Sequence, residues 1–556
     1  MKSKFWHSGG FSPKNVLTCP AIFDTFIVNK LIFVRCIMKT TKNTLCRVLA
    51  LILAVLSCSG FIACKDGNSK NNLSPQTTPL EDLDFKGETF TIHSSVNVLT
   101  GESLDSYRSS NYLIQGEEEV LGDKASDSAL RRNELVQDEL NIKFNYIESD
   151  FTYNEVFSSI RDLVKSGADG IHLIINDMRL IGLSTEGIFH DASYGAYFDF
   201  EQDYWYDDLM ESISIQEDTR YALASDYFID VIRFTDCLIM NKDLYEVFGC
   251  DPESIYDIVR NQEWTLDKFY EILIGGEGYP YNSTYIDLTG NRKRDTRDTY
   301  GFISWDYWGP MQGFLTGADP GYITRDEDGY PVINVYNEKT LKMQEMLIKI
   351  FNANETGVGR LYNSDSAKAS KAFFEGRGLF FGGQTLGALE AAEFASSDIN
   401  FAVLPFPKLD ETQANYISTV HDIAEMGFIP STLSFGDLDL VSAVVEYLTK
   451  ISAETVIPKY YESTLKVRYS RESANAEMID ILHYNYGGAF ALAWSYYVEG
   501  FFFNPIIDSV TSNQDNFASY YRSYENSAQS TFADLIAAHE TVREELEKQY
   551  SGGTGK

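Results

Sequence analysis

Basic residues and cysteine are both scarce in this chain of 556 residues, and each shortage excludes something. Lysine and arginine number 46 against 81 aspartates and glutamates, a formal net charge of −35. A nucleic-acid binder gains affinity by releasing counterions from phosphates through a basic footprint, and this chain repels phosphates, so nucleic acid is excluded as a partner. No run of about 18 apolar residues occurs, which excludes a polytopic membrane protein. The 7 histidines are scattered, and there is no His-Glu-x-x-His, Gly-x-Ser-x-Gly or Gly-Lys-Ser/Thr loop, so the chain reads as no enzyme. A pair of acid and base carboxylates, as glycoside hydrolases use, is the one catalytic device that so many acids leave open. Of 7 cysteines, Cys19, Cys36, Cys46, Cys58 and Cys64 sit near the start, and only Cys237 and Cys250 stand further on. Those two form either a disulfide or two buried thiols, and no disulfide or zinc framework is written here. What is present is 44% hydrophobic and 14% aromatic residues, enough for large cores. At about 150 residues per domain the length corresponds to three to four domain equivalents.

The beginning of the chain reads as an address and an anchor. Lys39, Lys42 and Arg47 supply a positive stretch, and Val48 to Leu56 is an apolar run too short to span a bilayer. Phe61-Ile62-Ala63-Cys64 then resembles a bacterial lipobox, with Cys64 as the lipidated residue and Cys58 as a weaker competitor. Residues 1–37 precede a plausible start at Met38 and read as a gene-model extension, with 38–63 as the signal peptide. Removing residues 1–63 carries away six Lys, two Arg and one Asp, a net +7, so the remainder stands at −42. An anionic membrane surface repels such a chain, which leaves the lipid alone to anchor it. Residues 64–83, rich in Asn, Ser, Pro and Thr, read as a flexible tether.

Beyond the tether the pattern alternates. Thr89 to His93, Ile142 to Tyr146 and Ile171 to Ile175 read as strands, the last apolar enough to be buried on both faces. Asp127 to Leu140 and Val156 to Val164 read as helices between them, the second closed by Gly167. Strand, helix, strand, helix, strand predicts a parallel α/β layer, with ligand just past the carboxyl ends of its strands, beside Ser94 to Asn97 and Asn176-Asp177. Further strands are expected at Thr235 to Met240, Leu379 to Phe381 and Phe401 to Leu404. Helices are expected after the N-cap Thr265, over Asp437 to Leu448, over Ala476 to Leu482 and over Thr531 to Gln549, before a frayed 551–553 tail.

Several stretches together resemble the extracellular solute-binding proteins of ABC importers, the family-1, sugar-binding type common in Gram-positive bacteria. They are Arg132-Asn133-Glu134-Leu135-Val136 with Leu140-Asn141-Ile142, Asn241-Lys242-Asp243-Leu244, Trp264-Thr265-Leu266-Asp267, Asp298-Thr299-Tyr300-Gly301-Phe302, Leu404-Pro405-Phe406-Pro407-Lys408, and Val456-Ile457-Pro458-Lys459-Tyr460-Tyr461. The resemblance implies an α/β, two-lobed fold of the type II periplasmic-binding-protein class with hinge strands between the lobes. It places 84–232 with 424–455 in the first lobe and 236–420 with 456–550 in the second. The crossings are expected near Asp230 to Cys237 and His421 to Pro430. It implies a monomeric lipoprotein on the outer face of the cytoplasmic membrane, with a carbohydrate ligand in the cleft, permease transmembrane subunits as partners, and no cofactor.

A sugar offers hydroxyls at its edge and an apolar C–H face, so its site needs aromatic platforms with carboxylates or amides. Phe302, Trp305, Tyr307 and Trp308 form the densest aromatic patch and are expected to be a stacking wall. Asn97, Asn176, Asp177, Asp226, Gln384 and Asp422 are the expected polar contacts. Tyr204, Trp205 and Tyr206 read chiefly as structural, and Trp264 as core. The loop Asp287, Gly290, Asn291, Asp295, Asp298 is similar to calcium loops of some relatives, but Arg292, Lys293, Arg294 and Arg297 intrude, so no metal is expected.

Overall fold

The computed structural model describes residues 78–95, 112–116, 124–149, 151, 155–167, 170–304, 308–351, 359–361, 365–390, 392–461, 473–483, 485–512, 514 and 516–553. All fall within the unit Asn71–Lys556. Met38, the signal peptide and Cys64 lie outside the described residues.

The strands, in chain order, are β1 (Glu88–Ser95), β2 (Ile142–Ser149), β3 (Leu173–Asp177), β4 (Asp236–Asn241), β5 (Tyr300–Ser304), β6 (Ile323–Arg325), β7 (Pro331–Ile333), β8 (Gly359–Leu361), β9 (Gly378–Thr385), β10 (Phe401–Leu404) and β11 (Glu425–Phe428). Two sheets hold nine of them, ordered β11-β3-β1-β2 and β10-β4-β9-β5-β8, and β6 pairs with β7. In the first sheet β1 runs parallel to β2 and β3 while β11 is antiparallel to β3. In the second, β5 runs parallel to β8 and β9 while β4 is antiparallel to β9 and β10. The plan is the same twice: the first strand lies between the second and third, and the strand beside the third arrives antiparallel from the other sheet. The chain is therefore α/β, with two sheets exchanging strands.

Sequence explains each layer. Leu173, Ile174 and Ile175 are fully buried, as a central parallel strand requires. The helix α1 (Lys124–Leu140) buries Ala129, Val136 and Leu140 on one face, and α2 (Val156–Lys165) ends before Gly167 at φ 71°. The motif residues Arg132 and Asn133 form a clamp inside α1. Arg132 Nη2 donates to the carbonyls of Leu113 (3.0 Å) and Ile114 (2.6 Å), and Asn133 Nδ2 donates to those of Ile114 (2.9 Å) and Gln115 (2.7 Å). Trp264 is fully buried, and its Nε1 donates to the Pro405 carbonyl at 2.8 Å, so two of the motifs hold each other.

The chain passes between the sheets at identifiable places. Residues 222–226 add to the edge of the first sheet, with Leu223 bridged to Gly427. The helical turn α4 (Asp230–Arg233) carries on from α3 (Asp207–Ile213) through that edge and leads into β4. The return segment lies antiparallel to it: Thr235 bridges Val420, Asp236 N donates to Thr419 O, and His421 N donates to Phe234 O, both at 2.9 Å. A third passage follows α8 (Asp437–Ile451) through residues 452–460 to α9 (Ser473–His483). There Asn475 completes the edge of β10, accepting from Val403 N and donating to Phe401 O. The helices labelled between these are α5 (Leu266–Ile274), α6 (Trp308–Gly317) and α7 (Glu338–Phe351).

The end of the chain is more helical than the sequence suggests. After α10 (Phe490–Ser495) and α11 (Asn504–Ser512), a single helix α12 runs Phe517–Gly553, well beyond the expected Thr531 to Gln549 and through the 551–553 stretch expected to fray. Phe517, Tyr521 and Ala528 are buried at helical spacing, which supplies the missing first turns. Phe517 and Tyr521 meet Tyr336, beyond β7, with ring centroids 5.6 and 5.3 Å away. At the other end Tyr550 stacks on Tyr194 at 3.6 Å and meets Phe435 at 3.9 Å, both on the side of the first sheet. Cys237 and Cys250 are free thiols, the first buried. Among the described residues no helix is long and apolar enough to cross a membrane.

Candidate functional site

The crossing strands carry an unusual density of buried charge. Asp177, at the end of β3, pairs with Arg179 (Oδ2–Nη2 2.7 Å), and both side chains are essentially inaccessible. His421 Nδ1 lies 2.8 Å from Asp422 Oδ1. Burial opposes both charges, yet each supports the other: His421 is raised, aided also by Asp236, and Asp422 is lowered. Asp236, at the start of β4, is pushed up to about 7 by burial, and its Oδ2 has no hydrogen-bond partner among the described residues. Thr385, its register partner in β9, also has a buried, unpartnered hydroxyl. On the far side Arg233 joins Asp230 (3.0 Å) to Glu390 (3.1 Å), and Glu390 accepts from Tyr460 at 2.7 Å.

Beside this crossing lies a cavity of about 790 Å³. One wall comes from residues 200–209 and Asp226, at the edge of the first sheet; the other comes from 453–461 and 480–486, on the third passage and α9. The first wall is built by a short ladder: Tyr206 N donates to Ala224 O, Asp226 N donates to Tyr204 O, and Trp205 bridges Ser225. That ladder turns Trp205 inward, where its Nε1 donates to Glu446 Oε2 on α8 at 3.0 Å, while Tyr204 donates to Glu446 Oε1 at 2.6 Å. It turns Tyr206 toward the opposite wall. The Tyr206 hydroxyl donates to Asp226 Oδ1 and lies 3.0 Å from His483 Nε2. Burial first, then the Asp226 carboxylate, keeps the Tyr206 proton in place far above the ordinary phenol range. Tyr486 packs its ring 4.9 Å from Tyr206, and its hydroxyl is 3.0 Å from Thr235 Oγ1 in the crossing strand. The cavity floor and the crossing are thus one hydrogen-bonded unit.

The lining offers rings (Phe200, Tyr204, Trp205, Tyr206, Tyr461, Tyr486) and carboxylates (Glu201, Asp203, Asp207, Asp208, Asp226, Asp480), with no Lys or Arg among its described residues. Asp207 is already held by Arg220 at 2.7 Å. Rings with acceptors at their edges can hold a polyhydroxylated molecule by its C–H faces and its hydroxyls. Among the described residues no cluster of three or more His, Cys, Asp or Glu side chains could hold a metal ion.

The expected site residues divide. Asp226 lines this cavity. Asn176, Asp177, Gln384 and Asp422 are instead gathered at the crossing: Asn176 and Asp177 face Met426 and Glu425 in β11, and Gln384 faces Cys237 in β4. All four are buried. Phe302 is no stacking wall: it is fully buried in β5, edge-on to Phe269, Phe314 and Phe351 beneath the second sheet. Trp308 is the first residue of α6. Asn97, Trp305 and Tyr307 lie outside the described residues. In the loop considered for calcium, Asp287 accepts from the backbone of Gly290 and Arg292 at 2.7 Å each, and Asp295 pairs with Arg297 at 2.6 Å. What sequence reasoning undervalued is Tyr204-Trp205-Tyr206 together with Tyr461, His483 and Tyr486. The first three carried a visible signal in the flanking acids; the others carried none, since only the fold brings them to the same wall.

No family model matches the sequence, and no curated protein matches it. Among solved structures the chain is similar to an ABC transporter solute-binding protein from Thermotoga lettingae bound with α-D-tagatose, at 13% identity over 81% of this chain and 100% of that one, with a TM-score of 0.47. It is similar to a cyclo/maltodextrin-binding protein complexed with maltotetraose, at 13% identity over 82% and 98%, TM-score 0.49. A maltose/maltodextrin-binding domain from Bdellovibrio bacteriovorus bound to maltotriose gives 14% identity over 81% and 100%, TM-score 0.46.

Proposed function

We propose that this chain is the extracytoplasmic solute-binding component of an ABC importer, a lipoprotein anchored through Cys64 that captures an oligosaccharide and hands it unchanged to a membrane permease. The observation that carries the reading is the cavity of about 790 Å³, walled by tyrosines, a tryptophan and carboxylates, one wall at the edge of the first sheet and the other on the passage after α8 and on α9, which packs on β10 of the second. That volume lies within the range of about 300–1,000 Å³ typical of small-molecule sites. Opposed walls joined by paired crossing strands suit a hinge: ligand bridging both walls favours the closed arrangement by the contacts it makes only there. The Tyr206–Asp226–His483 bridge supplies a pivot between the walls with its own hydrogen bonds already made.

The test is calorimetry and thermal shift of the purified chain against malto-, cello- and chito-oligosaccharides. Binding of one class, weakened about tenfold or more by Tyr461→Ala through loss of a ring platform, supports the reading. Release of reducing ends during incubation would replace it with glycoside hydrolysis. Binding without any change of dimensions in solution scattering would replace it with a surface adhesin that holds glycan without closing.

A further inference from the structure

A second cavity, of about 260 Å³, lies against the other end of α3. Asp208 lines both cavities, and Glu211 and Ser212, one helical turn further on, line the second. The facing wall is the end of α6 and the turn after it, residues 316–323, with Phe490 at the start of α10. The two cavities therefore adjoin at Asp208 and follow one another along α3.

Residues lining the second cavity carry polar groups without partners among the described residues. Tyr322 is 5% exposed, and its hydroxyl has no hydrogen-bond partner among the described residues. A buried, unsatisfied hydroxyl is costly and calls for a reason. Among the described residues the carboxylates of Asp319 and Asp208 make no hydrogen bond or ion pair, whereas Glu211 is spent on Arg220 at 3.1 Å and Arg325 on the Ser214 carbonyl at 2.7 Å. Asp319 also sits at φ 42°, in the left-handed region that glycine, asparagine and aspartate enter most readily. Asp319 is part of the cavity wall.

Resting on the reading given above for the first cavity, we propose that the second cavity is a further sugar subsite. The ligand then lies along α3, with its outer units past Asp208 and their hydroxyls meeting Asp319 and Tyr322. A ligand of one or two units fills the first cavity only. Affinity rises with each unit that reaches the second and is flat thereafter.

The experiment is titration calorimetry of the full chain with oligosaccharides of two to six units, in the malto, cello and chito series. In the series that binds, the hexasaccharide is expected to bind at least tenfold tighter than the disaccharide. Asp319→Gly, which keeps the left-handed backbone without strain, and Tyr322→Phe, which removes only the hydroxyl, should each shrink that ratio several-fold with thermal stability retained. A disaccharide that binds as tightly as the hexasaccharide overturns the subsite and leaves the first cavity's reading standing. A length-dependent gain that neither variant reduces overturns the assignment to this cavity. Failure of every series to bind overturns the reading on which both rest.

Discussion

Asp236 offers the sharpest check on the physics of the crossing. Its carboxyl titrates near 7 in the folded protein because it is buried, against 3.8 for the free side chain. The sign follows from linkage. Below about pH 4 the group is protonated in both states and costs nothing. Between about 4 and 7 the unfolded chain releases its proton while the folded chain keeps it, so stability falls by about 1.4 kcal/mol per pH unit. Above about 7 the loss is complete, at about 4 kcal/mol. That figure already includes the partial relief given by His421 and the opposition of Asp422. Asp236→Asn, isosteric and neutral, removes the dependence. Urea unfolding of both proteins should show the variant gaining on the wild type by up to about 4 kcal/mol between pH 4 and pH 8. A double variant that adds His421→Gln separates the carboxylate from the histidine. An equal difference between variant and wild type at both pH values would refute the reasoning, because Asp236 would then be solvated or paired in the folded state.

Other consequences are as open to measurement. His539 on α12 is 1% exposed between Tyr221 and Tyr330, and burial lowers it to about 4. Stability contributed by its neutral form is present above about 6.5 and drains away as pH falls toward 4, by about 3 kcal/mol, and acid unfolding of His539→Phe should lack that component. Arg132→Lys should cost about 3 kcal/mol in denaturant unfolding, because an ammonium cannot replace a fork that reaches two carbonyls, Asn133 and Ser452 at once. Gly182→Ala should destabilise by a few kcal/mol, since its Cβ would stand 1.9 Å from the Tyr497 ring; rescue by Tyr497→Ala would locate the clash.

The legible parts of the sequence were those whose signal is local. β1 to β3 and the helices between them follow from period and glycine placement, and Thr265 caps α5 by accepting from Lys268 N as its position suggests. The shared motifs turned out to be scaffold: Arg132-Asn133 clamps residues 113–115, Asn241 caps the following helix at Leu244 N, and Trp264 joins Pro405. They announce a fold without naming its ligand. Phe302 was expected at a stacking wall and lies under the second sheet, because composition cannot distinguish a ring under a sheet from one beside a cleft. Tyr206, Asp226 and His483 are separated by hundreds of residues or by a whole turn of ladder, and no spacing rule links them. α12 was underread for a related reason: the buried rings of its first turns, Phe517 and Tyr521, are spaced among polar residues and pack on Tyr336, a partner remote in sequence.

That last helix has a mechanical implication. Its early turns are fastened to rings beyond the second sheet, and its final turn to Tyr194 and Phe435 beside the first. Any rotation of one sheet against the other has to peel one of those fastenings or bend the rod between them. α12 therefore acts as a splint between the two sheets: a swing large enough to separate them requires unzipping of stacked rings, at a place remote from the cavity between Tyr206 and Tyr461.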